Sequence, residues 1–101
     1  MEQKYEELIK YSDPEYVYEK FNRWGLNNRA DLYLSTRKDK KYMVIMKDNP
    51  RKKIHFGQMG YQDYSKHKDE LRMMKFQNRN RRWASAIEFT PAYLSFYLLW
   101  T

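Results

Sequence analysis

Residues 31–56, DLYLSTRKDKKYMVIMKDNPRKKIHF, decide the fold because three short extended runs alternate there with two polar turns. The runs cover 31–35, 42–46 and 53–56, are rich in strand-forming residues and show the two-residue side-chain period of a sheet. The turns contain charged residues, Asn and Pro, which are typical of hairpin connections. The stretch therefore predicts a three-stranded antiparallel meander with basic tips.

A helix over 14–24 is predicted before the meander. Asp13 can cap the helix, and Pro14 suits its first position because proline needs no hydrogen-bond acceptor there. Gly25 is placed to end the helix in a left-handed cap. The apolar residues recur with helical spacing and form one stripe: Val17, Phe21 and Trp24.

Two helices are predicted after the meander. Gly57 and Gly60 bracket a turn, and a helix is expected over 65–83. Thr90-Pro91 repeats the capping device of the first helix and starts a final, nearly all-apolar helix that ends at Trp100.

The fold class is α+β: an N-terminal helix, a three-stranded antiparallel meander, then two helices packed on the sheet. Residues 1–12 are expected to be an acidic N-terminal segment with a short helix, and 13–101 a single domain.

Composition limits the class of protein. The chain has 101 residues, a formal charge of +7 and 18% aromatic residues, so one small domain with a tyrosine- and tryptophan-rich core is expected. It contains no cysteine, which excludes disulfides and thiolate metal sites. No apolar run is long enough to span a bilayer, and no signal peptide opens the chain, so secretion is not expected.

Basic residues concentrate between 34 and 83, where they interleave with aromatic rings. Lysine and arginine neutralise phosphates and release counterions, so the pattern favours nucleic acid, DNA or RNA, as a partner. The alternative is that the rings are core and the charges a solvated surface. The expected phosphate contacts are Arg37, Lys38, Lys40, Lys41, Arg51, Lys52, Lys53, Arg72, Arg79 and Arg82.

A second cluster of polar residues surrounds the turn after the third strand. One interpretation is a phosphate or carboxylate site at a helix N-terminus. The other is that the aspartates and histidines cap the helix and hold the loop. No cofactor is predicted, and the spacing matches no standard metal site. The residues are His55, Gly57, Asp63, Tyr64, His67, Lys68 and Asp69.

Residues 34–100 resemble a family of small basic proteins of unknown function, encoded by large DNA viruses of eukaryotes and by some phages. The resemblance lies in an HFG…DY…HKD…LLW motif, carried by KKIHFGQMGYQDYSKHKDE at 52–70, RNRRWA at 79–84 and TPAYLSFYLLW at 90–100. It implies a viral origin and a place in the infected host cell, in the cytoplasm or a viral factory. It implies no activity.

The expected function is non-enzymatic nucleic-acid binding by a protein packaged in the virion. The alternative is a minor capsid or assembly component whose basic face meets acidic viral proteins and whose helix 90–100 mediates self-association. A third hypothesis is a metal-dependent nuclease that uses His55, Asp63, His67 and Asp69.

Overall fold

The structure, a computed structural model, describes residues 2–101 and shows the predicted α+β architecture. The main elements are connected or extended by short 3-10 turns at Leu26–Asn28 and Arg81–Ser85 and by a π-helical segment at Ser95–Leu99. The elements are α1 (Glu2–Leu8), α2 (Pro14–Arg23), β1 (Ala30–Leu34), β2 (Lys40–Met46), β3 (Lys53–Gln58), α3 (Tyr64–His67), α4 (Glu70–Arg79) and α5 (Pro91–Leu94).

The meander is confirmed. The strands lie in the order β1-β2-β3 and both pairs are antiparallel, with Val44 of β2 opposite Leu32 of β1 and Ile54 of β3. Tyr42 and Phe56 also face each other, and their rings stack with centroids 5.6 Å apart. These side chains are buried, so one face of the sheet forms the floor of the core.

Helices close the core over that face. The C-terminal elements pack against β3 and α2. Val17 and Phe21 of α2 meet Leu94 and Leu98 in one cluster of buried side chains. Leu8 of α1 is also fully buried in this cluster, so the predicted short N-terminal helix is present and contributes to the core.

The predicted stripe on α2 is correct at two of its three positions. Val17 and Phe21 are buried, but Trp24 is 42% exposed and lies edge-on to Tyr97. Trp24 is the cap residue just past the end of α2, and its side chain lies beside Tyr97 rather than in the core cluster. Gly25 follows with φ 74°, which confirms the left-handed cap.

The single helix predicted over 65–83 is wrong. The chain leaves α3 at Lys68, which has φ 54°, and α4 starts after Asp69. The Asp69 carboxylate accepts hydrogen bonds from the amides of Leu71 and Arg72 at 3.0 and 3.2 Å, and this cap favours a new helix over continuation of the old one. No side chain of α4 is fully buried.

The final helix is confirmed as part of the core rather than an exposed docking element. Thr90 caps α5 by accepting from the Tyr93 amide, and the chain continues through the π-helical segment. Leu94, Leu98 and Leu99 are at most 1% exposed. These leucines face their own domain and are not available for contacts with a second copy, and the self-association expected through this helix stays a prediction. No helix within residues 2–101 is long and apolar enough to cross a bilayer.

Lys20 holds the end of the chain against α2, a role that the sequence does not reveal. The side chain is 4% exposed, and its Nζ donates to the backbone oxygen of Thr101 at 2.7 Å and to the carbonyl of Tyr97 at 3.3 Å. Burial, with a smaller contribution from the Lys68 charge, lowers the pKa of Lys20 to about 8. The helix end therefore obtains its hydrogen-bond donor from a cation that is costly to bury.

We expect the free energy of unfolding to rise with pH above about 8. Folded Lys20 loses its proton there, whereas a lysine in the unfolded chain does so near pH 10.4. Between these two pH values the unfolded state therefore binds more protons than the folded state, so the slope of the free energy of unfolding against pH is positive. Urea unfolding at several pH values up to about 9.5, below the pH at which tyrosines ionise, measures this slope.

The Lys20→Met variant should have a smaller slope, although the lowered pKa values of Lys4 and Lys41 act in the same direction. Lys10→Met, at an exposed lysine, is the matched control and should keep the wild-type slope. Equal slopes in wild type and Lys20→Met would contradict the assignment.

Candidate functional site

A cleft of about 920 Å³ lies between the sheet, α4 and the C-terminal helix, which consists of α5 and the π-helical segment Ser95–Leu99. The sheet side is formed where β2 begins and β3 ends, because Lys40 is opposite Gln58 in the register. Among the described residues that line the cleft there are cations but no Asp or Glu. The aromatic residues of the lining are Phe56, Tyr61, Phe76, Trp83 and Trp100.

Three cations of α4 line one side of the cleft. Arg72, Lys75 and Arg79 are spaced i, i+3 and i+7, which places them on one helix face. All three are exposed, and no ion pair among residues 2–101 includes them. Lys40 adds a fourth positive charge from the sheet. The cleft is therefore a positive environment available to an anion.

Aromatic contacts attach α4 to the rest of the domain. The Phe76 ring stacks on Trp100 with centroids 4.1 Å apart and an interplanar angle of 6°, and Trp83 meets Phe76 edge-on at 5.8 Å. The Gln77 side-chain amide also donates to the Trp100 carbonyl at 2.7 Å. Because these contacts lie at the cleft, the same rings form its wall and fasten its basic helix.

A buried ion pair lies beside the cleft. Lys41 Nζ is 2.9 Å from Asp63 Oδ2, and the two side chains are 3% and 1% exposed. Lys41 also donates to the Tyr61 carbonyl at 2.6 Å. Burial lowers the pKa of Lys41, while the Asp63 charge acts against this shift. The ammonium group of Lys41 is therefore enclosed and already paired, unlike the free surface cation that the predicted phosphate contact requires.

Hydroxyl groups extend this ion pair into a network. Ser65 donates to Asp63, and its Oγ lies 3.0 Å from Ser12 Oγ and accepts from the Asp13 amide at 2.9 Å. Ser12 Oγ lies 2.7 Å from the Tyr42 hydroxyl, whose pKa is raised by burial. The network joins the α1–α2 junction to β2 and α3, and so holds the sheet side of the cleft in place.

Gly57 has a structural role in the cleft that differs from the prediction. It lies inside β3, not in a turn, with φ 83°. A Cβ at this position would be 2.8 Å from Leu99 Cδ1 and 3.1 Å from Lys41 Cβ. Gly57 therefore allows Leu99 of the C-terminal helix and Lys41 of the neighbouring strand to lie close to β3.

The residues of the predicted motif site are dispersed. His55 lies on the sheet, where its Nδ1 is 2.7 Å from Ser35 Oγ. Lys68 Nζ lies 3.3 Å from the centre of the Tyr16 ring, and Tyr64 lies near the same ammonium group at 5.8 Å. The motif therefore serves several separate local contacts rather than one anion site.

His67 and Asp69 support the capping interpretation. His67 Nδ1 accepts from the Asp69 amide at 2.9 Å, and the imidazole ring packs against Trp100 with centroids 5.4 Å apart. Burial, followed by the Arg72 charge, lowers the pKa of His67. The neutral imidazole thus holds the break between α3 and α4, as expected if these side chains stabilise the loop.

The residues assigned to a nuclease do not form a ligand cluster. Within residues 2–101 no group of three or more His, Asp or Glu lies close enough to hold one metal ion. Asp63 is occupied by Lys41 and Ser65, and Asp69 by the amides of α4. The nuclease hypothesis therefore has no assembled centre in the part of the chain described.

The two basic hairpin tips lie at opposite ends of the sheet. Arg37 and Lys38 precede β2 and lie at the end of the sheet that carries the cleft. Residues 51–53 follow β2 and lie at the opposite end. The seven residues of β2 separate the tips by about 20 Å. Arg82 is exposed in the turn after α4. The predicted phosphate contacts thus fall into two groups instead of one continuous surface.

Sequence reasoning missed two cleft residues. Lys75 lies among the basic residues between 34 and 83 but was not one of the predicted phosphate contacts, although its spacing from Arg72 and Arg79 places it on the same helix face. Trp100 was assigned only to the C-terminal helix. No sequence signal indicates its contact with Phe76, because the two residues are far apart in the chain.

We predict that Gly57→Ala destabilises the domain more than Gly60→Ala. Both glycines have positive φ, so alanine is strained at either position, by about 1–3 kcal/mol. Only Gly57 faces close neighbours, and overpacking there should add about 1–3 kcal/mol. Urea denaturation of the two variants measures the difference, and equal losses would contradict the close approach of Leu99.

The comparisons with known proteins identify a family but no activity. No curated protein and no solved structure matches the chain significantly. The model of the family of unknown function DUF5754 matches residues 30–80, just over half of the chain. The match runs from β1 to the end of α4 and so includes the sheet and the basic helix of the cleft. The chain belongs to the DUF5754 family of unknown function.

Proposed function

We propose that this protein binds nucleic acid through phosphate contacts and is not an enzyme. The observation that carries the proposal is the cationic side of the cleft, where Arg72, Lys75 and Arg79 are exposed and no Asp or Glu is among the described lining residues. Unpaired exposed cations bind phosphates and release condensed counterions, which supplies most of the affinity in non-specific complexes.

The geometry of α4 suits a phosphate backbone. Its three cations extend along about two turns of helix, so successive phosphates can meet successive side chains. Because α4 contributes no fully buried side chain, it lies at the surface of the domain, and a long polyanion can reach it without rearrangement of the core. The proposal includes no base specificity.

A viral origin and a place in the virion belong to the same proposal. The viral origin is supported by the resemblance of the HFG…DY…HKD…LLW motif to proteins of large DNA viruses and some phages. Action in the cytoplasm or viral factory of the infected cell follows from that origin.

Fluorescence anisotropy of labelled duplex DNA and single-stranded RNA over a salt series tests the proposal. Binding should weaken steeply with salt. Replacing Arg72, Lys75 and Arg79 together by Gln should reduce the magnitude of the log–log slope for the duplex by roughly 2–3, because each lost phosphate contact removes about 0.9.

The control removes the same charge at the other end of the sheet, by replacing Arg51, Lys52 and Lys53 with Gln. This variant should retain most of the wild-type slope. Equal effects of the two triple variants would assign binding to net charge rather than to α4. Undetectable binding of both nucleic acids at low salt would contradict the proposed function.

A second candidate function, a minor capsid or assembly component, is favoured by exposed apolar side chains. Leu71 and Met74 are each 60% exposed on α4 at i, i+3 spacing, and Ile87 is 80% exposed. Neighbouring apolar side chains on a helix surface are typical of protein contacts. This surface replaces the buried C-terminal helix as the place where a neighbour would bind.

If assembly is the function, the wild-type chain should self-associate in sedimentation velocity, and the Leu71→Glu/Met74→Glu variant should be monomeric with an unchanged circular dichroism spectrum. A concentration-independent monomer in the wild type would remove the self-assembly form of this candidate.

A further inference from the structure

We infer that the cleft beside α4 receives an unpaired nucleotide of a single-stranded nucleic acid, with the base against its aromatic wall and the phosphates on the α4 cations. This inference rests on the proposed function and specifies which form of nucleic acid the protein binds and where.

The size and lining of the cleft fit such an occupant. Its volume of about 920 Å³ lies within the range of roughly 300–1,000 Å³ found for small-molecule sites. The interior is formed by aromatic and aliphatic surface, including Trp83 and Leu99, and the cations lie on the α4 side and at Lys40. A nucleotide presents the complementary arrangement, because it joins a flat apolar ring to a negatively charged phosphate.

The aromatic wall gives the cleft a function beyond charge. Tyr61 is 71% exposed at this site, and Trp83 is only partly buried. Bases of any sequence can stack on such rings, which makes the contact tolerant of sequence. The stacked pair of Phe76 and Trp100 holds the wall in place before any ligand binds.

A duplex does not use this wall. Its bases are paired and stacked within the helix, so a concave cleft can reach only phosphates and groove edges. An acidic peptide offers carboxylates to the cations but no flat ring for the wall. A single strand supplies both chemical groups at once, which is why the charge and aromatic composition of the cleft favour it.

The test uses tryptophan fluorescence in the Trp24→Phe variant. Trp24 packs against Tyr97 outside the cleft, so the two remaining indoles, Trp83 and Trp100, both report from the lining. Addition of a thymidine decanucleotide should quench the fluorescence. Inorganic polyphosphate and polyglutamate, which lack bases, should not quench it at concentrations that occupy the cations.

Substitution separates stacking from charge. Tyr61→Leu should weaken decanucleotide binding by about 10-fold, within the range for loss of one base–aromatic stack, and leave duplex binding unchanged. Trp83→Leu should weaken decanucleotide binding by a similar factor. Tyr33→Leu is the matched control, since Tyr33 is 45% exposed on β1 outside the cleft. Circular dichroism checks the fold, and the highly exposed Tyr61 keeps the test valid if Trp83→Leu unfolds.

The outcomes distinguish the inference from the proposed function. Binding of single strand and duplex with equal affinity and no quenching would overturn the nucleotide site but leave phosphate binding intact. Quenching by polyglutamate or polyphosphate as strong as that by the decanucleotide would also overturn it, because the cleft would then select charge alone. Absence of binding to any nucleic acid would refute both.

Discussion

The buried ion pair between Lys41 and Asp63 is the contact on which the arrangement of the cleft depends. It joins β2 to the segment before α3, and the serine hydroxyls around it reach the α1–α2 junction. Removing one partner of such a pair typically costs about 3–5 kcal/mol, since the other charge stays buried without compensation. A pair of this kind therefore selects one arrangement of the surrounding elements and penalises alternatives.

Local signals were sufficient to predict the sheet and α2. Alternating side chains and polar turns define three strands, and Asp13, Pro14 and Gly25 define a helix with both of its ends. The break at Lys68 was missed because the residues after it are compatible with continued helix, and the competing cap at Asp69 depends on local backbone geometry. Periodicity alone does not distinguish one long helix from two short ones.

Long-range contacts explain the errors at the candidate site. From composition alone every lysine is expected at the surface. Lys41 and Lys20 are instead buried, and their hydrogen-bond partners lie 22 and 81 residues away in the chain, respectively. Trp100 joins the cleft through Phe76, which belongs to another element. The meander also places the two basic turns, which are close in sequence, at opposite ends of the sheet. The number of basic residues was therefore known from the sequence, but their positions on the structure were predicted only in part.

The absence of fully buried side chains on α4 has an evolutionary consequence. Substitutions in a packed helix are restricted by the shapes of its neighbours, whereas most surface substitutions change stability by less than about 0.5 kcal/mol. Most positions of α4 can therefore vary while the domain beneath remains intact. The sheet and its ion pair thus form a support whose stability depends little on the chemistry of the exposed side chains of α4.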